Sequence, residues 1–294
     1  MIVCRSKSSI PWKLRRHLNT TTIGKKIYYY NEIDSTQTFA ISMVEKKLFL
    51  LKDKEKKEYG DDIGSSHGTV IIAERQRKGR GRHTEKKWFS PVGGIWLSVI
   101  LMPKISAAQS TLLPIISAIA VSDTITEKTN LNSKIKWPND IVIEGKKVAG
   151  ILVNLSTEGE KINYAVIGIG INANVDFSKI TLAIVNNNDD DGNSSDHLSR
   201  YTGVTSLKNE LYNKSVDIPE MMQILLEKLE HYYLKLENEG PENIRNEWEK
   251  RADTLGKVVK VREQNEIVEG IATGIDVDGV LLVKTHDGSV HRLI

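Results

Sequence analysis

Hydrophobic and polar positions follow two different patterns along this chain, and the pattern changes near residue 254. Before that point, apolar runs typical of buried strands alternate with stretches of helical spacing. After it, four or five short apolar segments are separated by turn sequences, which predicts a small β-barrel or meander. We therefore predict an N-terminal extension (1–25), an α/β domain (26–253) and a small C-terminal β-domain (254–294).

Within the middle region, apolar runs predict strands and amphipathic stretches predict helices. The predicted strands cover 26–32, 69–73, 95–102, 135–143, 147–155 and 162–172, with the fourth bent at Pro138. The predicted helices cover 38–46, 107–128, 205–209, 219–239 and 244–252. Two polar segments, 48–67 and 177–199, are predicted to be surface insertions, the second a mobile loop, and neither is assigned any chemistry.

The composition is that of a soluble globular protein. Of the 294 residues, 39% are hydrophobic and 27% charged, and the net charge of +3 does not by itself indicate nucleic-acid binding. The single cysteine, Cys4, lies in what reads as an irregular N-terminus and cannot form an internal disulfide. No apolar run reaches the length of a membrane span, and no secretory signal is apparent. We therefore expect a cytoplasmic protein.

The densest candidate chemistry is the segment Gly79-Arg80-Gly81-Arg82, between two predicted strands. Glycines let the backbone approach a ligand closely, and arginines donate paired hydrogen bonds to phosphate oxygens. The segment indicates a phosphate-binding loop, with a solvated basic hairpin as the alternative.

Three weaker signals lie elsewhere. The hydroxyls of Ser35 and Thr36, at a strand-to-helix turn, either cap the helix or hold a polar ligand. The alternate glycines Gly168 and Gly170 leave one face of a strand bare, for a ligand or for a crowding helix. Lys147 is expected close to Asp140 across a hairpin and is either functional or an ordinary surface lysine, with Lys136 as the alternative candidate.

Three motifs occur in a fixed order, and together they resemble those of biotin protein ligases over nearly the whole chain from about residue 26. They are Gln76…Gly79-Arg80-Gly81-Arg82…Trp88, Lys136-Trp-Pro-Asn-Asp140 followed by Lys147-Val-Ala-Gly150, and Gly168-Ile-Gly-Ile-Asn172, with Asp34-Ser35-Thr36 upstream. The resemblance implies a mixed central β-sheet with packed helices, a fold shared with class II aminoacyl-tRNA synthetases, and a C-terminal SH3-like β-barrel.

The resemblance also implies a two-step reaction with ATP, biotin and Mg²⁺. Biotin would be activated to biotinoyl-5′-AMP and then transferred to a lysine of a biotin carboxyl carrier protein or domain. Biotin would be bound by Ser35, Thr36, Gln37, Gln76, Gly79, Arg80, Gly81, Arg82, Lys147 and Gly150. The nucleotide would be bound by Arg80, Arg82, Trp88, Asn139, Lys147, Gly168 and Asn172. The catalytic groups would be Lys147, Arg80, Arg82 and Asp140, the last positioning Mg²⁺ or the incoming lysine.

The chain departs from the family pattern at two places. Gln37 stands where the family usually has asparagine, and 83–87 replace a second Gly-Arg pair, so that Lys86 or Lys87 would supply its charge. A lipoate– or octanoate–protein ligase is the nearest alternative. A nucleic-acid-binding module and a non-catalytic biotin-binding protein are further ones. No winged-helix unit precedes the first predicted strand, so nucleic acid is not an expected partner. A homodimer is compatible with the apolar strand 95–102.

Overall fold

The computed structural model describes residues 2–4, 10–52, 66–82, 88–177, 203–263 and 266–293. The predicted insertions at 48–67 and 177–199 lie largely outside the described residues, and the departure at 83–87 lies wholly outside them. The larger sheet contains β1 (Ile2–Cys4), β2 (Ile27–Ile33), β3 (Val70–Gln76), β4 (Ile95–Leu101), β5 (Ser133–Lys136), β6 (Asp140–Ile143), β7 (Lys146–Glu158) and β8 (Lys161–Ile171). The helices are α1 (Ile10–His17), α2 (Thr36–Lys52), α3 (Leu112–Thr129), α4 (Leu207–Glu210), α5 (Ile218–Glu239) and α6 (Pro241–Glu249).

The eight strands form one mixed sheet in the order β1-β2-β3-β4-β8-β7-β6-β5. β2 pairs in parallel with β1 and β3, and all other neighbours are antiparallel. This arrangement confirms the predicted α/β class with a mixed central sheet and packed helices.

The segment 135–143 differs from its prediction as one bent strand. It forms a hairpin in which β5 and β6 are joined by the turn Trp137–Asn139, and the peptide bond before Pro138 is cis. Pro138 has no N–H to donate to a neighbouring strand, so the ladder is interrupted there. As a result Lys136 and Asp140 become paired neighbours at the turn end of the hairpin.

One face of the sheet carries most of the core. The isoleucines Ile167, Ile169 and Ile171 of β8 are buried on this face beneath α3 and α5. With the short 3-10 turn before it, α3 is long and apolar enough to span a membrane by length and composition alone, contrary to the sequence-based expectation. Sixty-seven per cent of that apolar window is buried inside the protein, which is the burial expected of a central core helix.

On the opposite face, α2 covers only part of the sheet. Its residues Ala40 and Val44 are buried against Ile100 and Val166, from β4 and β8. The next residues along β8 on this face are Gly168 and Gly170, beyond the area that Ala40 and Val44 cover; Gln37, in the first turn of α2, lies against Gly168. This uncovered part of the sheet holds the candidate site.

The C-terminal strands β9 (Val258–Glu263), β10 (Glu266–Ile275), β11 (Leu281–Lys284) and β12 (Val290–Leu293) form an antiparallel meander in sequence order. The turn before β11 packs on α3: the Thr111 hydroxyl donates to the Asp278 carbonyl, and Gly279 lies against Leu112 and Ile115. The sheet is open, because β9 and β12 are its two edge strands and do not pair with each other within the described residues.

The N-terminal residues are joined to the main body. Cys4 lies in a strand, paired with Tyr29, and not in an irregular segment. The carboxylate of Glu230, only 5% exposed on α5, accepts hydrogen bonds from the backbone N–H groups of Thr21, Thr22 and Ile23 at 2.6, 2.6 and 2.8 Å. Buried donors left unpaired are costly, so Glu230 anchors the approach to β2.

We predict that Glu230→Ala lowers the free energy of unfolding by about 2–4 kcal/mol, because three backbone donors lose their acceptor in a buried place. Urea unfolding followed by circular dichroism measures this change. Glu239→Ala, an exposed position on the same helix, is the control and should change stability by no more than about 0.5 kcal/mol. Equal effects of the two substitutions would contradict the anchoring role.

Candidate functional site

The site is built on a floor of three glycines, Gly150, Gly168 and Gly170, which we call the glycine floor. Gly150 of β7 pairs directly with Gly170 of β8, so their bare faces adjoin. Gly168 is two residues back on β8 and faces the same way. None of the three has a positive φ, so glycine provides room here and not an unusual backbone conformation. A flat group can therefore lie directly on the backbone.

The indole of Trp88 lies on this floor. A Cβ atom added at Gly170 would come within 2.6 Å of Trp88 Nε1, and one at Gly150 within 3.0 Å of Cζ3. Trp88 Nε1 is buried and has no hydrogen-bond partner among the residues that the structure describes. Buried indole N–H groups normally have one. The ring is thus held by packing and by the nearby ammonium of Lys147, and not by a hydrogen bond of the indole N–H, so we expect that a ligand can displace it.

Lys147 and Asp140 meet at the edge of the floor, as the hairpin prediction anticipated. Lys147 Nζ lies 2.5 Å from Asp140 Oδ1 and 4.9 Å from the centre of the Trp88 ring. Asp140 Oδ1 is buried and has no aligned hydrogen bond, so the contact with the ammonium is an ion pair. The lysine side chain remains 29% exposed. The alternative candidate, Lys136, is exposed and makes no ion pair within the described part of the chain.

A β-bulge brings Lys147 to this face. Residues 147 and 150 of a regular strand would point to opposite faces, since the side-chain period is two. The pairing of β6 with β7 shifts by one residue at Val148: Ile141 is opposite Ala149, but Val142 is opposite Lys147. The extra residue turns Lys147 toward Gly150, and a Cβ added there would meet the lysine Cε at 3.2 Å.

Thr36, Gln76 and Ser90 form a polar cluster beside the floor. Gln76 Oε1 accepts from the Thr36 N–H at 2.8 Å and from its hydroxyl at 3.1 Å, and Gln76 Nε2 donates to Ser90 Oγ at 2.9 Å. Ser35 is buried next to Thr36, and its hydroxyl accepts a long 3.4 Å hydrogen bond from Thr38 N–H at the start of α2. Ser35 therefore acts as a helix cap here.

The basic residues of the loop fall into two groups. Arg77 and Lys78 pair with Asp34 at 2.6 and 3.2 Å. The hydrogen bond from Arg77, with that from Lys78, holds the pKa of the Asp34 carboxyl below its usual range. In contrast, Arg80 and Arg82 are exposed and make no ion pair within the described residues. Two guanidinium groups are thus free for an anion.

The loop is closed at its base by backbone contacts. Trp88 N–H donates to the Gly79 carbonyl at 2.9 Å, and Gln76 N–H donates to the Ser90 carbonyl at 2.9 Å. A side chain at Gly79 would collide with the Trp88 carbonyl, so close approach requires glycine there. Gly81 lies between the two free arginines.

Three predicted ligand residues use their side chains within the protein. Asn139 donates to the Ile151 carbonyl at 2.7 Å, and Asn172, only 2% exposed, donates to the Thr205 carbonyl at 3.0 Å. Gln37 lies across Gly168 in a network of its own. The predicted nucleotide-binding roles of Asn139 and Asn172 stay predictions.

Three polar residues of the site were missed from sequence: Ser90, Ser98 and Asn154. Ser98 was detectable in principle, because it is the one polar residue of the fully buried β4. Its hydroxyl contacts Thr36 Oγ1 and Gln37 Oε1, each at 2.9 Å. Nothing in the local sequence distinguishes Ser90 or Asn154.

The described residues do not fit a resident metal ion. No group of three His, Cys, Asp or Glu side chains comes together among them. Asp140, the predicted magnesium residue, is instead paired with Lys147. We therefore derive no step through a protein-bound magnesium ion.

Fold and site together define an α/β protein with an anion-binding site on the open face of a mixed sheet, and comparison with known proteins identifies its family. Residues 50–172 match the Biotin/lipoate A/B protein ligase family. Residues 254–294 match the Biotin protein ligase C terminal domain. The chain is 30% identical over 277 residues to the bifunctional ligase/repressor BirA of Bacillus spizizenii, covering 94% of this chain and 74% of the relative. It belongs to the biotin protein ligase family.

Two further relatives are informative. A biotin–[acetyl-CoA-carboxylase] ligase of Paracoccus denitrificans is 28% identical over 226 residues, covering 75% of this chain and 86% of the relative. The biotin protein ligase of Aquifex aeolicus, solved in complex with biotin and ATP, matches with a TM-score of 0.66 and 26% identity. That match covers 92% of this chain and 95% of the other.

We predict that Gly170→Ala displaces the Trp88 indole, because the new Cβ would lie 2.6 Å from Nε1. Trp88 emission is obtained as the difference between each protein and the same protein carrying Trp88→Phe. It should shift to longer wavelength and become easier to quench. Gly274→Ala, whose Cβ would meet only Glu249 Oε1 at 3.8 Å, is the control. Unchanged Trp88 emission in the Gly170→Ala protein would refute the stacked position.

Proposed function

We propose that this protein activates biotin with ATP to biotinoyl-5′-AMP and transfers the biotinoyl group to a lysine of a biotin carboxyl carrier protein or domain. The observation that carries the proposal is the position of Lys147. Its ammonium is held at the edge of the glycine floor, on the side of the sheet where the loop with the free Arg80 and Arg82 closes. The names of the relatives support both the biotin substrate and the carboxylase partner.

In the first step a biotin carboxylate oxygen attacks the α-phosphorus of ATP, the bond to the β-phosphate oxygen breaks, and pyrophosphate leaves. Negative charge accumulates between two anions, so cations must lie beside them. Lys147 is the candidate at the junction of carboxylate and α-phosphate. Its pairing with Asp140 fixes its direction before substrates arrive.

Arg80 and Arg82 are the candidates for the outer phosphate oxygens. Their guanidinium groups have no other partner among the described residues, so binding an anion breaks no ion pair. Arg77 and Lys78 are already neutralised by Asp34 and serve to hold the loop. Of the four basic residues in this segment, only Arg80 and Arg82 are therefore proposed to bind the ligand.

In the second step the ε-amine of the carrier lysine attacks the acyl carbon, AMP leaves, and an amide forms. The mixed anhydride must be kept from water until then. Trp88 suits this task, because its indole already covers the floor without a hydrogen bond of its N–H to the described residues and can cover a ligand instead. The backbone clamp between Gly79 and Trp88 keeps the indole close by.

The head of biotin is assigned to the cluster of Thr36 and Gln76. A ureido group presents N–H donors and a carbonyl acceptor, and this cluster supplies hydroxyl and amide partners for both. Gly150 would form the floor beneath the ligand. Ser35 is less suited than Thr36, since its hydroxyl faces the start of α2.

Several finer points remain part of the proposal. Mg²⁺ would enter with ATP and not as a resident ion, the enzyme would be cytoplasmic, and a homodimer and the lack of a nucleic-acid partner stay predictions. The family model covering 50–172 includes lipoate ligases. The match of 254–294 to the biotin ligase C-terminal domain favours biotin.

We predict that Lys147→Ala lowers the rate of biotin-dependent pyrophosphate release by roughly 100-fold or more, because the developing charge loses its cation. Biotin binding, measured by calorimetry, should change much less. Lys146→Ala is the matched control, since Lys146 is exposed and pairs with Glu210 at 3.4 Å. Near-normal pyrophosphate release by the Lys147→Ala enzyme would remove this lysine from the mechanism.

We predict that Arg80→Ala lets the adenylate escape faster, because the loop loses one of its two free guanidinium groups. Escaped adenylate acylates lysines of unrelated proteins, so biotin on added serum albumin, detected by avidin blotting, should increase relative to biotin on the carrier domain. Arg75→Ala is the control, as Arg75 pairs with Glu32 at 3.5 Å. A ratio that stays at the level of the unmodified enzyme would argue against a retaining role.

A further inference from the structure

Gln37 occupies the part of the glycine floor that Trp88 leaves bare. A Cβ added at Gly168 would lie 2.6 Å from Gln37 Oε1, so the amide rests directly on this glycine. Gln37 is only 3% exposed. The glycine floor is therefore divided into one part beneath Trp88 and another beneath Gln37.

The hydrogen bonds of Gln37 fix its side chain. Nε2 donates to the Val166 carbonyl at 2.8 Å and to Asn154 Oδ1 at 3.0 Å, while Oε1 accepts from the Ser98 hydroxyl at 2.9 Å. The orientation of the amide is determined by Val166, because a backbone carbonyl requires a donor. Both N–H groups of the Gln37 amide are used within the protein, so its side chain has no donor left for a ligand.

Trp88 differs in this respect. Its Nε1 has no partner among the described residues, so removing the indole from the floor breaks no hydrogen bond of that ring. Removing the Gln37 amide would take one hydrogen-bond partner each from the Val166 carbonyl, the Asn154 side chain and the Ser98 hydroxyl. Gln37 is a fixed wall, whereas Trp88 is a replaceable cover.

Gln37 also determines where the hydroxyl hydrogens point. Three oxygen contacts, Ser98–Gln37 at 2.9 Å, Ser98–Thr36 at 2.9 Å and Thr36–Gln76 at 3.1 Å, share two hydroxyl hydrogens. Ser98 is the only donor to Gln37 Oε1 among the described residues, so the Ser98 hydrogen belongs there. The Thr36 hydrogen then points to Ser98 or Gln76, and the lone pairs of Thr36 are left to accept an N–H of a ligand.

We propose that Gln37 is a positioning and size-limiting residue of the head-group pocket. Through Ser98 it makes Thr36 an acceptor for a ring N–H donor, and over Gly168 it closes the floor against a larger ring system. The inference rests on the proposed function for the identity of the ligand. The packing of Gln37 on Gly168 is independent of the proposed function, because it is a contact within the protein that involves no ligand.

The packing is tested first, without any substrate, by a double-mutant cycle of Gln37→Ala and Gly168→Ala followed by urea unfolding. Gly168→Ala should destabilise the parent protein but be tolerated in the Gln37→Ala protein, where the new Cβ enters vacated space. Gly150→Ala, beneath Trp88 and Lys147, should be additive with Gln37→Ala. If the effects of Gln37→Ala and Gly168→Ala on the free energy of unfolding are additive, Gln37 does not pack on Gly168 as proposed.

Selectivity is tested next with biotin and an analogue methylated on a ureido nitrogen. The ratio of their dissociation constants should fall by about tenfold in the Gln37→Ala enzyme, since excluding one methyl group is worth roughly this factor or more. Adding Gly168→Ala to the Gln37→Ala enzyme should restore part of this ratio, because the new methyl group refills some of the vacated space. The Michaelis constant for ATP should not change. If the Gln37→Ala protein does not fold, the same ratio is measured with Gln37→Asn, which shortens the side chain over Gly168 but keeps an amide.

The outcomes separate this inference from the proposed function. If the parent enzyme biotinylates a carrier domain but the ratio is the same with Gln37→Ala, Gln37 does not limit the pocket and the inference fails alone. If the cycle shows coupling but the parent protein binds no biotin, the proposed function fails while the packing stands. A loss of both ligands in equal proportion would mean that Gln37 is only structural, which also overturns the inference.

Discussion

The site depends on the absence of side chains in one rung of the sheet. Asp140, Gly150, Gly170 and Trp96 are paired in succession across β6, β7, β8 and β4. The two glycines at the centre of this rung leave space for a flat ring on the backbone, and the aspartate at its end supplies a carboxylate beside that space. The bulge at Val148 adds the lysine. A Cβ on Gly170 would collide with the Trp88 indole, and one on Gly150 would crowd it.

Charge is distributed so that the acidic residues near the site restrain some cations and leave others free. Asp34 holds Arg77 and Lys78, and Asp140 directs Lys147, whereas Arg80 and Arg82 carry no counterion among the described residues. A site for two anionic substrates needs excess positive charge, but that charge must also be oriented before the substrates arrive. The ion pairs provide the orientation.

Motif and periodicity were sufficient for most of the fold, because long apolar runs such as β4 and β8 can only be buried. The hairpin at Pro138 was misread, since a bend and a reversal look alike in a short proline-containing run. The apolar length of the helix 112–129 was underestimated, because serines and threonines interrupt its apolar run in the sequence. In the structure the hydroxyls of Ser117 and Thr124 bond back to carbonyls of their own helix, so these residues can be buried with the apolar ones. The anchoring of the N-terminal residues by Glu230 depends on a partner more than 200 positions away and leaves no local signal.

Within the site, the sequence identified which residues gather but not what each one contacts. Lys147 and Asp140 were expected to be neighbours, but the bulge that turns the lysine toward the floor is a property of pairing register. The amides of Asn139, Asn172 and Gln37 were all assigned to ligands, whereas their donors are bonded to the protein. Side-chain partners of this kind are fixed by tertiary neighbours, and no spacing rule predicts them.

The most direct test of the account is calorimetric titration of the protein with biotin, followed by a non-hydrolysable ATP analogue, and then in the reverse order. The account predicts that biotin binds to the free protein and that bound biotin strengthens nucleotide binding, since the ligand displaces Trp88 and brings Arg80 and Arg82 over the floor. Binding of lipoate in place of biotin, or of neither, would contradict it.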